Sequence, residues 1–312
     1  MSKSLKIFAI FLAIGVSLGA TVSVQAQDTV PVTTVITVLG PKFTPPPALS
    51  KEDISVYESK NKRTVTGFLP AQGDKAGLQL AIVIDDASTV ELGSQLGDIR
   101  NFITAQPKST SIGVFYASNG GVQATSPFSA DHDAAAKGVR LPFGSGGAYS
   151  SVYLSVMSLI GGWSAPAPST RREILLIADG IDRFRGDPFS PDIQATYEKA
   201  EKAGIIIHTL YATGVGRVGR NSFRVSYGQS NLDQLSERTG GESFFQGLQT
   251  PISFSPFLEQ LDMILKNQYF LTFNTAPAKN AKGQLRSFKI RTELKNVDIS
   301  SADQVFVRGA AK

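Results

Sequence analysis

The sequence has no cysteine, two histidines and one tryptophan in 312 residues. The missing thiols exclude a disulfide scaffold, thiolate catalysis, Cys-ligated zinc and iron–sulfur centres. Two histidines are too few for a His-based metal cluster. His132, in the polar stretch 130–133, reads as a solvated helix start, and His208, among Ile207, Thr209 and Leu210, as a packed strand residue. Charge of one sign is scarce as well. A net charge of +5 with 18% charged residues does not suit a nucleic-acid binder, which concentrates Lys and Arg on one face. What is present is a hydrophobic content of 42%, which argues against global disorder. The length allows a full core without staples, as one large domain or two small ones.

Long apolar runs are confined to the start. Lys3 and Lys6 precede the apolar residues 7–20, and Val24 and Ala26 occupy the two positions that a signal peptidase reads. This is the pattern of a secretory signal peptide over residues 1–26, cut before Gln27. A retained anchor is the alternative, but the run is short and is weakened by Gly15 and Gly19. Loss of Lys3 and Lys6 lowers the net charge from +5 to +3. No later segment is apolar enough to span a bilayer, so the expected location is extracytoplasmic, either periplasmic or fully secreted.

The rest divides into three parts. Residues 27–72 read as a β segment, with a Val/Thr/Ile-rich strand at 30–38 and strands at 54–58 and 63–69 around a turn at 59–62. Residues 77–266 alternate strands and helices. Residues 80–84, 174–178 and 205–211 are apolar without alternation, as strands buried on both faces are. Leu92, Leu96, Ile99 and Ile103 fall on one helical stripe, as do Val152, Val156, Leu159 and Ile160. Asn119-Gly120 marks a hairpin, and a short helix is expected at 231–238. Residues 267–312 return to β, with strands at 268–274, 288–294 and 305–307. The expected fold is α/β, a doubly wound and mostly parallel sheet, whose β-rich flanks pair into a small β-sandwich.

In such a sheet, sites lie beyond the carboxyl ends of the strands. Two of these ends are acidic: Asp85-Asp86-Ala87-Ser88-Thr89 and Asp179-Gly180-Ile181-Asp182. Oxygens gathered there suit a hard cation such as magnesium.

These strand ends resemble those of von Willebrand factor type A domains. Residues 49–58, 147–153, 235–241 and 267–269 resemble, in that order, segments of the VWFA-related proteins described from acidobacteria. The resemblance implies a Rossmann-like fold and a metal-ion-dependent adhesion site. That site takes Asp-x-Ser-x-Ser after the first strand, a Thr from a later loop and an Asp after the fourth strand. Carried over by residue, Asp85 matches the first position, Thr89 replaces the last Ser, and Asp179 supplies the later Asp. Ala87 stands at the middle Ser and Gly146 at the Thr, and neither offers a side-chain oxygen. A register one residue later uses Asp86 and Ser88 but places Val90 at the last Ser. Either register loses ligands, so a Mg2+ site and a degenerate, metal-free site both stay open. Without a metal, Asp85 and Asp179 are ordinary caps of the turns that follow them.

Other motifs carry less. Residues 214–219 match G-x-G-x-x-G, but they follow a late strand and the next residues show no helical periodicity, so no nucleotide site is expected. Arg217, Arg220 and Arg224, with Phe223 and Tyr227, read instead as a basic, aromatic loop of the kind enriched at interfaces. The resemblance implies a non-catalytic, adhesion-like module that docks a protein partner outside the cytoplasm, near Asp85, Ser88, Thr89, Gly146 and Asp179. Two alternatives are an extracytoplasmic hydrolase using Asp85, Asp86 and Asp179 as acid–base groups, and a scaffold piece of an envelope assembly using residues 214–229.

Overall fold

The computed structural model describes residues 29–309, apart from 165, 166, 168 and 187–189. The signal-like segment 1–26 lies outside the described residues. Among the described residues, no helix is long and apolar enough to cross a membrane.

The chain begins with β1 (Val30–Leu39), β2 (Ile54–Glu58), β3 (Asn61–Arg63) and β4 (Val65–Pro70). The expected strand at 63–69 is two strands. β3 closes a tight hairpin on β2, and the chain then leaves through Thr64 for another sheet. The α/β unit follows: β5 (Leu78–Asp85), α1 (Leu96–Ala105), β6 (Thr110–Ser118), β7 (Gly121–Ser129), α2 (His132–Lys137), α3 (Val152–Gly162), β8 (Arg171–Ala178), α4 (Pro191–Ala203), β9 (Ile205–Tyr211), α5 (Gly216–Gly219), α6 (Ser222–Thr239), β10 (Ser243–Phe244) and α7 (Ser255–Lys266). The last strands are β11 (Gln268–Thr275), β12 (Gln284–Ser287), β13 (Lys289–Thr292), β14 (Asp298–Ser301) and β15 (Gln304–Val307).

Six strands form the central sheet in the order β10-β9-β8-β5-β6-β7. All pairs are parallel except β6–β7, joined by the Asn119-Gly120 hairpin with both residues at positive φ. Counted from β5, this is the doubly wound order 3-2-1-4-5-6, whose direction reverses between β5 and β8. Alternate residues of β5 explain its unbroken apolar run. Leu80, Ile82 and Ile84 face α1 and α7, while Ala81 and Val83 face α3, α4 and α6, and all five are fully buried.

The flanking strands form a four-stranded sheet, β14-β1-β11-β4, a three-stranded sheet, β13-β2-β3, and a two-stranded sheet, β12-β15. β1 runs antiparallel to β11 from Val30↔Thr275 to Thr37↔Gln268. Val32, Ile36, Val56, Leu271 and Phe273 from these sheets share one apolar core with Phe288, Val305 and Val307. The strands before and after the α/β unit therefore build one β-layered unit under the amino ends of the central sheet.

Two expectations are overturned. Residues 214–229 are not a loop. α6 starts at Ser222, with Asn221 Oδ1 accepting the Arg224 amide at 3.0 Å, and runs to Gly240, which ends it in the left-handed conformation. Its buried stripe is Val225, Gly228, Leu232, Leu235 and Thr239, so small and polar residues hide the period. His132 is not solvated. It is buried, with Nε2 2.8 Å from the Thr110 carbonyl oxygen.

Candidate functional site

β5 and β8 are neighbours at the point where the sheet reverses, so their carboxyl ends open the crevice where doubly wound folds bind. Asp85 ends β5, and Asp179 follows β8. Both are buried, at 3% and 1% exposure. Each caps its own turn, Asp85 Oδ1 accepting the Ala87 amide at 2.9 Å and Asp179 Oδ1 the Ile181 amide at 3.0 Å. The two strands thus end in the same local device.

The crevice is filled by the chain's own groups. Arg183 folds back from the same loop and grips Asp179 with two nitrogens, Nη2 to Oδ2 at 2.5 Å and Nη1 to Oδ1 at 3.0 Å. The segment after β9 then crosses above. The Val215 amide donates to Ala87 O at 2.8 Å, and the Thr89 amide to Thr213 O at 2.9 Å. Between these two bonds Gly214 rests on the ion pair. A Cβ there would lie 1.9 Å from Asp179 Oδ2 and 2.1 Å from Arg183 Nη2. Burial first and the Asp179 charge second push the Asp85 carboxyl up to about 7, against the opposing pull of Arg183. Burial works against the charge of Arg183, but Asp179 and Asp85 outweigh it and hold the guanidinium above its ordinary value.

Asp86 points away from this pair. Arg140 holds both its oxygens, at 2.8 and 2.9 Å, and the Phe143 amide donates to Oδ1 at 3.1 Å. The same guanidinium is stacked between the rings of Tyr116 and Phe143, 3.7 and 3.8 Å from their centroids. A one-residue register shift onto Asp86 and Ser88 therefore leads to a different, already neutralised carboxylate. Ser88 Oγ and Thr89 Oγ1 are buried without a hydrogen-bond partner.

The residues do not fit a divalent cation. Ala87 and Gly146, at the two positions where the resemblance expects hydroxyls, are brought together: a Cβ on Gly146 would lie 3.2 Å from Ala87 Cβ and 2.0 Å from Ser150 Oγ. The Ala87 methyl group and the Ser150 side chain fill the place, which leaves no room for a side chain on Gly146. Both oxygens of Asp179 are on a guanidinium. Asp85 and two orphaned hydroxyls are the oxygens left free there, and the Arg183 guanidinium on Asp179 sets a fixed positive charge against any cation beside them. Among the described residues, no group of three His, Cys, Asp or Glu could hold a metal.

Around the crevice the surface is apolar. Among the described residues eleven large hydrophobic side chains are exposed, and nine of them lie in the segments that follow β5, α2, β8, β9 and β10. Val90 follows β5. Leu141, Phe143 and Tyr149 lie in the loop that the Phe143, Ser145 and Gly146 hydrogen bonds tie to Asp86 and Asn119. Phe184 follows β8, Phe223 follows β9, and Phe245, Leu248 and Ile252 follow β10. Tyr149 and Phe184 meet with ring centroids 5.1 Å apart, joining two of these loops. Arg217 on α5, Arg220 in the turn after it and Arg224 in the first turn of α6 are exposed in the segment that follows β9. Sequence reasoning missed Arg183, Arg140 and the apolar rim. The only signal for Arg183 was its place four residues after Asp179.

No protein-family model matches the sequence, and no curated protein matches it. Solved structures do. The α/β unit is similar to von Willebrand factor type A domains. A von Willebrand factor type A protein from Catenulispora acidiphila matches at TM-score 0.46 and 9% identity, over 91% of this chain and 75% of that one. An aerotolerance-related membrane protein from Bacteroides fragilis matches at TM-score 0.40 and 13% identity, over 61% and 98% of the two chains. The pilus adhesin SpaC from Lactobacillus rhamnosus GG matches at TM-score 0.46 and 9% identity, over 82% of this chain, which spans 47% of the adhesin's length. The strand order and its reversal between β5 and β8 carry the fold assignment.

Proposed function

We propose that this chain is a non-catalytic protein-binding module that works outside the cytoplasm and docks its partner on the carboxyl-end face of the central sheet. The observation that carries the reading is the gathering of nine exposed apolar side chains on that one face, rimmed by Arg217, Arg220 and Arg224. Exposed apolar patches of this kind mark interaction surfaces, and aromatic and arginine residues dominate their energetics. The free guanidinium groups favour an acidic partner segment. The segment 1–26, with Lys3, Lys6 and the apolar residues 7–20, supports export and removal of a signal peptide.

The hydrolase reading has one observation in its favour, the raised Asp85 carboxyl. Burial and Asp179 account for that rise, and Gly214 and Arg183 cover the acidic pair. Asp86 and Asp179 are each clamped by an arginine fork, which suits fixed ion pairs and not proton carriers.

The test is site-specific photo-crosslinking in the native host. A crosslinker placed at Phe143, Tyr149 or Phe223 should trap one partner. Placed at Leu69 or Leu294, in the β-layered unit, it should trap none. Equal trapping from both sets removes the assignment of the face.

A further inference from the structure

We propose that Arg183 is a built-in cation, standing where a divalent metal would otherwise neutralise the two acidic strand ends, so that this face is assembled without metal and closed to it. The inference rests on the reading of this face as the docking site, but it concerns what holds the face together and not what binds there.

Charge makes the first demand. Two carboxyl groups buried beside each other at a sheet edge need a neighbouring cation or a proton. The guanidinium meets the demand from within the chain, with two N–H groups on the two oxygens of Asp179, and its side chain is only 15% exposed. The loop is shaped to deliver it. The Ile181 amide is tied to Asp179 Oδ1, the Phe184 amide to Ser150 O at 2.9 Å, and Asp182 Oδ1 accepts the Phe184 and Arg185 amides at 3.1 Å. These bonds turn the chain so that residue 183 folds back over residue 179.

Space makes the second demand. Gly214 lies on the pair so closely that its own missing Cβ would overlap both partners. A metal ion would have to enter under that backbone and lie against a fixed positive charge. The losses at Ala87 and Gly146 belong to the same arrangement. Once a guanidinium supplies the charge, hydroxyl ligands have no cation to hold. The Ala87 methyl and the bare Gly146 backbone pack closely at those two positions.

The test uses the mature chain and Mn2+ as the probe, read by the loss of the free-ion electron paramagnetic resonance signal and by thermal unfolding with Mn2+, Mg2+ or chelator. The wild type should leave the Mn2+ signal unchanged, and its Tm should not move with either ion or with chelator. Arg183→Met should lower Tm by roughly 5–10 °C in chelator. Mn2+ should restore part of that loss. Arg183→Lys keeps the charge without the fork. It should lose less stability and stay indifferent to Mn2+. Saturable Mn2+ binding by the wild type overturns the proposal, as does an Arg183→Met protein with the wild-type Tm or with a loss that Mn2+ does not relieve. If Arg183→Met fails to fold, the wild-type titration and the Mn2+ response of Arg183→Lys decide alone. No readout involves a partner, so failure of the docking assignment leaves this result standing.

Discussion

At the carboxyl ends of the central sheet, Asp179 is held by Arg183 and Asp86 by Arg140. At the amino ends, Glu173 is held by His208 Nε2 at 2.9 Å and Gln268 Nε2 at 3.2 Å, with Arg171 Nη1 3.8 Å away. Both centres bury carboxylates against cations or donors, but they differ in what covers them. The upper centre lies under one crossing segment and opens onto an apolar rim. The lower one is sealed by the β-layered unit: Gln268 belongs to β11 and reaches Thr37 of β1, while Arg171 also donates to Leu265 O at the end of α7. His208 Nδ1 accepts the Glu242 amide, so Nε2 carries the proton given to Glu173. The lower network is thus a joint between two layers, and the upper one is the floor of a surface.

The largest expected effect tests the joint. Glu173→Ala leaves His208 Nε2 buried without its acceptor and the buried Arg171 without its neighbouring carboxylate, and should cost about 3–5 kcal/mol in urea unfolding. A loss below about 1 kcal/mol would mean that the layers are held by apolar packing alone. The matching change above is Gly214→Ala, which pushes a Cβ into Asp179 and Arg183 and should cost about 1–3 kcal/mol.

The two centres were not equally legible. The acidic strand ends stood out because Asp85 and Asp179 interrupt unbroken apolar runs, and β5, β8 and β9 were plain for the same reason. The lower joint was not, since Glu173, His208 and Gln268 are 35 and 95 residues apart and meet only through the fold. α6 was hidden by Gly228, which reads as a helix breaker. Gly228 is there because a Cβ would lie 2.2 Å from Asp179 O, where the helix crosses the strand end. β12 and β14 have four residues each, two exposed and two half-buried, with a single apolar residue apiece, too little pattern to mark a strand. The identity of the cation above was illegible because the fold-back of Arg183 onto Asp179 is set by loop hydrogen bonds to Ser150 O and Asp182 Oδ1 that leave no periodic pattern.

Titration should separate the centres by sign. The folded Asp85 carboxyl titrates near 7 against an ordinary 3.8, because of burial first and Asp179 second. The folded protein therefore holds that proton more tightly than the unfolded chain, and the group lowers stability progressively as pH rises from about 4 to 7. Glu173 is opposite. Burial raises its pKa, but His208, Arg171 and Gln268 outweigh that and hold it below 4.5, so its contribution is full above that value and is lost as pH falls through the folded pKa. Asp85→Asn should accordingly be more stable than wild type at pH 8 and equal to it near pH 4, in chemical unfolding at both. Equal stability at pH 8 would show that Arg183 already keeps Asp85 charged.

A smaller change probes the side of the upper face. Asp98 Oδ2, on α1, accepts Ser253 Oγ at 2.8 Å and the amides of Phe254 and Ser255 at 2.8 and 3.2 Å, so it caps α7 from another helix. Burial opposes its charge, but those donors hold its carboxyl below the ordinary 3.8. Asp98→Ala should cost about 1 kcal/mol in urea unfolding.

The smallest stability effect carries the sharpest functional contrast. Phe143 is 71% exposed, and Phe223 66%. Phe143 touches Arg140 only through one ring face, and Phe223 packs on Tyr227 at 4.7 Å between centroids. Neither fills the core, so Phe143→Ser and Phe223→Ser should each stay within about 0.5 kcal/mol of wild type. If the face docks a partner, the same two changes should still cut crosslinking at Tyr149 severalfold, because aromatic anchors carry a disproportionate share of binding energy. Glu173→Gln, which keeps the shape of the lower joint, should weaken the fold and leave crosslinking of the remaining folded protein unchanged. A Phe143→Ser protein that crosslinks like wild type would make the rim bare surface. The two ends of the sheet would then differ in burial alone.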